Sequence, residues 1–119
     1  MKPHVLIVDD SKAMRMIVVR TLRQAGFGAC EIVEASDGNE AVERVRAESP
    51  DLVLSDWNMP TMLGVDLLRK LRADGNNVRF GFVTSEVSEH IKEEARVAGA
   101  EFVISKPFAP DAFTRAIGR

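Results

Sequence analysis

Leu52-Val53-Leu54-Ser55-Asp56-Trp57-Asn58-Met59-Pro60 is the stretch on which the reading of the fold turns. A short apolar run ends abruptly in a carboxylate, and a proline four residues later cannot donate to a sheet ladder, so the pattern predicts a strand over 52–55 that stops there. Asp56 is thereby expected at the exposed C-terminal end of that strand.

Working outward, other segments repeat this plan. Val5-Leu6-Ile7-Val8 is a β-branched-rich run without alternation, as in a strand buried on both faces, and Asp9-Asp10-Ser11 ends it. From Lys12 to Ala25, Met14, Ile17, Val18, Thr21, Leu22 and Ala25 recur at helical spacing, and Gly26 supplies a left-handed C-terminal position. Residues 30–35 read as a second strand. Asp37 and Glu40 then have capping-box spacing before a helix carrying Ala41, Val42 and Val45, which ends near Ser49-Pro50. After Pro60, a loop to Gly64 leads into a helix carrying Val65, Leu67, Leu68 and Leu71, stopped by Asp74-Gly75. A fourth strand is expected over 78–83 with Thr84-Ser85 at its end, although Arg79 and Gly81 interrupt its apolar character. A helix from about Ser88 turns Ile91, Ala95 and Ala98 inward and closes at Gly99. Phe102-Val103-Ile104 is the fifth strand, Lys106-Pro107 ends it, and Pro110 begins a short last helix to Gly118.

Strand and helix alternate five times with short connections, which implies one α/β domain with a doubly wound parallel sheet covered by helices on both faces. In open sheets of this kind, ligands collect outside the C-terminal ends of the strands, where the strand order reverses. Asp9 and Asp10 follow strand one, Asp56 strand three, Thr84 strand four and Lys106 strand five, so all are expected on one edge. Carboxylates gathered within roughly 4 to 5 Å repel by about 3 to 4 kcal/mol per pair at an effective dielectric near 20. They need a cation. Mg²⁺ suits oxygen ligands and keeps waters that a phosphate can replace. Lys106 adds a second positive charge and Thr84 a hydroxyl donor. A carboxylate nucleophile, a metal, a lysine and a hydroxyl are the parts of phosphoryl transfer to aspartate, with Asp56 as acceptor.

Each part alone has an ordinary structural meaning. Asp-Asp after a strand is commonly loop or cap chemistry, Lys-Pro a solvated lysine before a turn, Thr84 a strand-end choice, and Asp56 part of a proline turn. Their coincidence at successive strand ends favours the chemical reading. His4 and His90 lack metal-ligand spacing and read as surface residues, whereas Met14, Met16, Met59 and Met62 read as packing and loop residues.

Composition bounds the classes. The 119 residues suffice for one core, and the chain reads as one complete functional unit over 1–119. With 16 basic and 18 acidic residues interspersed and a net charge of −2, no basic stripe suited to direct nucleic-acid binding stands out. Cys30 is the single cysteine and reads as a small buried side chain. No secretory leader pattern and no apolar run near eighteen residues occur, so a soluble cytoplasmic protein without membrane association is expected.

The chain resembles the receiver domain of two-component response regulators, and within that family the stand-alone chemotaxis regulators. Val8-Asp9-Asp10, the run from Ser55 to Pro60, Arg72-Ala73-Asp74-Gly75, Val83-Thr84, Gly99-Ala100 and Lys106-Pro107-Phe108 carry the resemblance across essentially the whole chain. It implies a flavodoxin-like sheet of order 2-1-3-4-5. It also implies phosphorylation of Asp56, Mg²⁺ held by Asp9, Asp10, Asp56 and the backbone carbonyl of Asn58, and contacts of Thr84 and Lys106 with the phosphoryl group. The Lys106-Pro107 bond is expected to be cis. Asn58 and Glu86 occupy the positions that tune phosphoryl lifetime in the family, which implies a short-lived acyl phosphate. Implied partners are a sensor histidine kinase or phosphotransfer protein, and an output protein at the face of helix four, strand five and helix five. Chemotaxis or flagellar motor control is one such output. The resemblance also implies that the domain catalyses its own phosphorylation and dephosphorylation without being an enzyme in the usual sense.

The chain departs from the family where signals leave the domain. Val103 stands at the aromatic switch position that works with Thr84, and Phe102 is expected on the opposite strand face. Leu63 replaces a commonly acidic residue, and the last helix is short, ending at Arg119. Val103 leaves open a phosphorylation-independent docking module. A haloacid-dehalogenase-type aspartyl-phosphate phosphatase would need Asp-x-Asp after strand one and a cap segment. A flavodoxin-like cofactor binder would need a phosphate loop where Asp9-Asp10-Ser11-Lys12 repels phosphate.

Overall fold

The unbroken apolar runs form the interior strands, and the ends that the polar residues dictate fall close to where the sequence places them. A computed structural model describes residues 3–118. The strands β1 (His4–Val8), β2 (Glu31–Ala35), β3 (Leu52–Ser55), β4 (Arg79–Thr84) and β5 (Phe102–Ser105) form one parallel sheet of order β2-β1-β3-β4-β5. The helices are α1 (Lys12–Leu22), α2 (Gly38–Glu48), α3 (Gly64–Ala73), α4 (Glu89–Ala98) and α5 (Pro110–Ile117). No helix among the described residues is long and apolar enough to cross a membrane.

Helices cover both faces. On one side, Leu6, Val8, Val53, Phe80 and Phe82 meet α2, α3 and α4, where Leu67, Leu68 and Leu71 of α3 are buried. Each such leucine contributes about 1.5 to 3 kcal/mol by leaving water. On the other side, Val5, Ile7, Leu54, Val83 and Ile104 pack against Val18 and Leu22 of α1 and Phe113 and Ile117 of α5. Phe102 lies on this second face and Val103 on the first, as strand alternation requires.

The first helix ends where the sequence places it, at Gly26, whose φ of 101° is left-handed and cannot continue the α ladder. Local differences from the sequence pattern have local causes. Ile17, at the rim of the helical stripe, is 44% exposed instead of inward, and Met16 is 53% exposed instead of packed. Only Ala95 of α4 is fully buried, with Ile91 and Ala98 half-buried. The fourth strand starts at Arg79 because the Val78 N–H donates to the Asn76 side chain at 2.9 Å. At the start of α2, Asp37 accepts from the Glu40 N–H at 2.8 Å, but the Glu40 carboxylate reaches the Ser36 N–H at 2.8 Å instead of completing the box at Asp37. Those Ser36 bonds hold the Glu40 carboxyl below its ordinary range. Cys30 is buried, and desolvation raises its thiol pKa.

Candidate functional site

Register brings the strand ends level. Val8 pairs with Ser55 and Thr84 with Ser105. The Asp56 N–H continues the ladder to the Val8 carbonyl at 2.9 Å, and the Lys106 N–H to the Thr84 carbonyl at 2.9 Å. From β1, the chain runs to β2 on one side of the sheet, whereas β3 lies on the other. The crevice of the fold therefore opens between the acidic turns of β1 and β3.

Carboxylate oxygens of Asp9, Asp10 and Asp56 lie within 4.8 Å of one another. Asp9 is 4% exposed, Asp56 half-buried and Asp10 exposed. Lys106 extends from the end of β5 and sets its Nζ 3.5 Å from Asp9 Oδ2 and 3.6 Å from Asp56 Oδ2. Both distances exceed ordinary hydrogen-bond length, so Lys106 is a counter-ion shared between the two acids. The Asp56 Oδ1 accepts from the Trp57 N–H at 2.7 Å. Burial pushes the Asp56 carboxyl above its ordinary range, opposed by Lys106, reinforced by the charge of Asp9, and opposed again by the Trp57 and Asn58 N–H groups. The phosphoacceptor candidate is thus a partly desolvated carboxylate that gains from added positive charge.

Thr84 is fully buried; its Oγ1 accepts from the Glu86 N–H at 3.1 Å, which leaves its O–H to donate. Asn58 and Glu86, both exposed, bond to each other through Asn58 Nδ2 and Glu86 Oε1. The Lys106–Pro107 peptide is cis. Behind the loop, Trp57 packs on Phe82 with ring centroids 4.8 Å apart. Gly64 permits the turn: its N–H bonds the Trp57 carbonyl at 2.8 Å, and a Cβ there would lie 2.1 Å from the Asp56 carbonyl oxygen.

The donor set fits Mg²⁺. Its ligands sit at about 2.0 to 2.1 Å, so neighbouring oxygens in an octahedron are about 3 Å apart and opposite ones about 4 Å. The carboxylate spacing approaches this range, every donor is a hard oxygen, and Asp10 can adjust its exposed side chain. His4 instead pairs with Glu31 at 2.9 Å at the other end of β1, and His90 is on α4, exposed, 3.8 Å from Glu94. Val103 is half-buried against the α4 side, away from the carboxylate cluster, and Leu63 is 40% exposed before α3.

Arg15 and Glu34 were not legible as part of this edge. Arg15 donates to the Asp9 carbonyl at 2.6 Å and to Glu34 at 2.7 Å. The available signal was its place at the end of the first turn of α1, from which a helical side chain points back to the N-terminus.

A family model described as the response regulator receiver domain matches residues 5–118. The chemotaxis protein CheY of Pseudomonas aeruginosa is 40% identical over 106 residues, spanning 87% of this chain and 84% of that protein. Chemotaxis protein CheY-3 of Vibrio cholerae is 41% identical over 106 residues, spanning 87% and 80%. Among solved structures, chemotaxis protein CheY4 of Vibrio cholerae superposes with a TM-score of 0.88 at 32% identity, covering 100% of this chain and 98% of that one. The receiver domain of Francisella response regulator 1452 gives 0.86 at 26% identity, with 98% and 94% covered.

Proposed function

Since the chain belongs to the response regulator receiver family, we propose that it acts as a phosphorylatable signalling switch whose acceptor is Asp56. The observation that carries this reading is the convergence of Asp9, Asp10 and Lys106 on the Asp56 carboxylate. A sensor histidine kinase or phosphotransfer protein presents a phosphohistidine. A carboxylate oxygen of Asp56 attacks phosphorus, the P–N bond breaks, and the imidazole nitrogen leaves with the electron pair. Asp9, Asp10, Asp56 and the Asn58 carbonyl would hold Mg²⁺, which would supply charge neutralisation for the phosphoryl oxygens. Lys106 and the Thr84 hydroxyl stabilise those oxygens from the side of β4 and β5. Asn58 and Glu86, bonded across the mouth, control access of water to the acyl phosphate and so its lifetime.

The added phosphoryl group brings about −1.5 to −2 charges. Thr84 and Lys106 respond to it, and the response shifts an existing equilibrium in the face of α4, β5 and α5, where an output protein binds. The similarity to chemotaxis proteins supports an output of that kind. We assign one receiver domain to 1–119, of which Met1, Lys2 and Arg119 lie outside the described residues, and a cytoplasmic location. Val103 favours one second reading, a docking module that works without phosphorylation.

Trp57 provides the test, since its N–H bonds the acceptor carboxylate. Its fluorescence should change on adding Mg²⁺ and again on adding a small acyl-phosphate donor, with the second change absent in Asp56→Asn. A wild-type protein showing neither change would refute the phosphorylation reading and leave the docking module. Capture of a partner equally by the phosphorylated form and by Asp56→Asn would favour that module as well.

A further inference from the structure

Arg15 closes the first turn of α1, and its side chain runs back to the β1–α1 turn. There Nη1 donates to the Asp9 carbonyl at 2.6 Å and Nε to Glu34 Oε1 at 2.7 Å, with the side chain 13% exposed. Glu34 belongs to the edge strand β2, in register with Ile7 of β1. One guanidinium fork therefore ties the helix, the acidic turn and the edge strand together.

What this fork holds is the backbone between the two acids. The Asp9 side chain is fixed separately, with Oδ1 accepting from the Ser11 N–H at 2.9 Å and Oδ2 3.5 Å from Lys106 Nζ. Asp10 is exposed, and among the described residues its carboxylate has no hydrogen-bond or ion-pair partner. No side-chain contact holds it in the cluster, so its approach depends on where the backbone sets its Cα. The Asp9 carbonyl and the Asp10 N–H and Cα share one rigid peptide plane, so holding the carbonyl restrains the point from which the Asp10 side chain departs.

We propose that Arg15, anchored by Glu34, is a positioning residue for the cation site, holding the Asp9–Asp10 peptide so that the Asp10 carboxylate meets those of Asp9 and Asp56. The inference rests on reading that cluster as a Mg²⁺ site. Charge and positioning make opposite demands here. A guanidinium bonded to the acidic turn adds positive charge close to the carboxylate cluster, so as a mere charge its removal tightens Mg²⁺ binding. As a positioning residue its removal weakens binding, and losing an outer partner of a metal ligand typically costs about 10- to 100-fold.

Mg²⁺ titrations of the full chain, followed by calorimetry and by Trp57 fluorescence, decide the sign. Arg15→Met is expected to bind Mg²⁺ about tenfold more weakly than wild type. Arg15→Lys should fall between the two, because one ammonium cannot reproduce the planar fork that reaches both partners. Glu34→Gln, at a half-exposed site, should weaken binding by a smaller factor, and Arg15→Met combined with Glu34→Gln should be no weaker than Arg15→Met alone. Arg69→Met, which removes the exposed bridge to Glu94 at 3.0 Å, should leave Mg²⁺ affinity unchanged. Unchanged or tighter Mg²⁺ binding by Arg15→Met, beside a wild type that binds, overturns the inference and leaves the Mg²⁺ reading intact. If Arg15→Met does not fold, unchanged affinity in Glu34→Gln overturns it. A wild type that binds no Mg²⁺ overturns the site reading and this inference together.

Discussion

At the crevice between β1 and β3, the two inner acids and their turn are held from several directions: Asp9 by Ser11 and Lys106, Asp56 by Trp57 and Lys106, and the acidic turn by Arg15. On the outer strand β5, only the alternation of faces separates Val103 from Phe102, and both are half-buried. The contrast separates chemistry from readout. The first depends on strand register and tight turns that many residues enforce together. On the proposed reading the second would depend on the identity of one side chain, and here that side chain is valine.

If chemistry is confined to the crevice, perturbations there must outweigh those on β5. The largest effect should come from chelating Mg²⁺, which removes several kcal/mol of charge stabilisation and should slow uptake of phosphate from an acyl-phosphate donor by roughly 100-fold or more, as stopped-flow Trp57 fluorescence would read. Next is Gly64→Ala. Its Cβ would stand 2.1 Å from the Asp56 carbonyl oxygen and 2.8 Å from the Phe82 ring, so a loss of about 1 to 3 kcal/mol in urea unfolding is expected, with slower labelling.

A subtler test uses acidity. Burial raises the Asp56 carboxyl above its ordinary value of 3.8, so the folded state holds this proton more tightly than the unfolded state. Its contribution to stability is therefore fully present below the ordinary value and is lost as pH rises through the raised folded value. In chelator, Asp56→Asn should melt higher than wild type near neutral pH, and the gap should close as pH falls into the ordinary aspartate range. A gap that widens on acidification would show that the charged form is the favoured one. The smallest effect should come from Val103→Ala, with labelling within about twofold of wild type. A larger change in labelling would mean that β5 takes part in the chemistry and that the two regions are not separate.

Much of the crevice was legible because it follows from topology. An apolar run followed by a polar or charged residue and a turn marks these strand ends, and strand–helix alternation brings them to one edge. Thus Asp9, Asp10, Asp56 and Lys106 could be grouped before any distance was known. What escaped the sequence depends on side-chain reach or close backbone approach. Arg15 meets Glu34 across nineteen positions, and nothing in either neighbourhood announces the pair. Gly64 looked like loop punctuation, whereas the turn requires it because the Asp56 carbonyl occupies the space of a side chain.

Intact-mass analysis of wild type and Asp56→Asn after treatment with Mg²⁺ and a small acyl-phosphate donor tests the central claim most directly. The account predicts one added phosphoryl group on the wild type and none on Asp56→Asn. Equal labelling of the two proteins, or no labelling of the wild type, would contradict it.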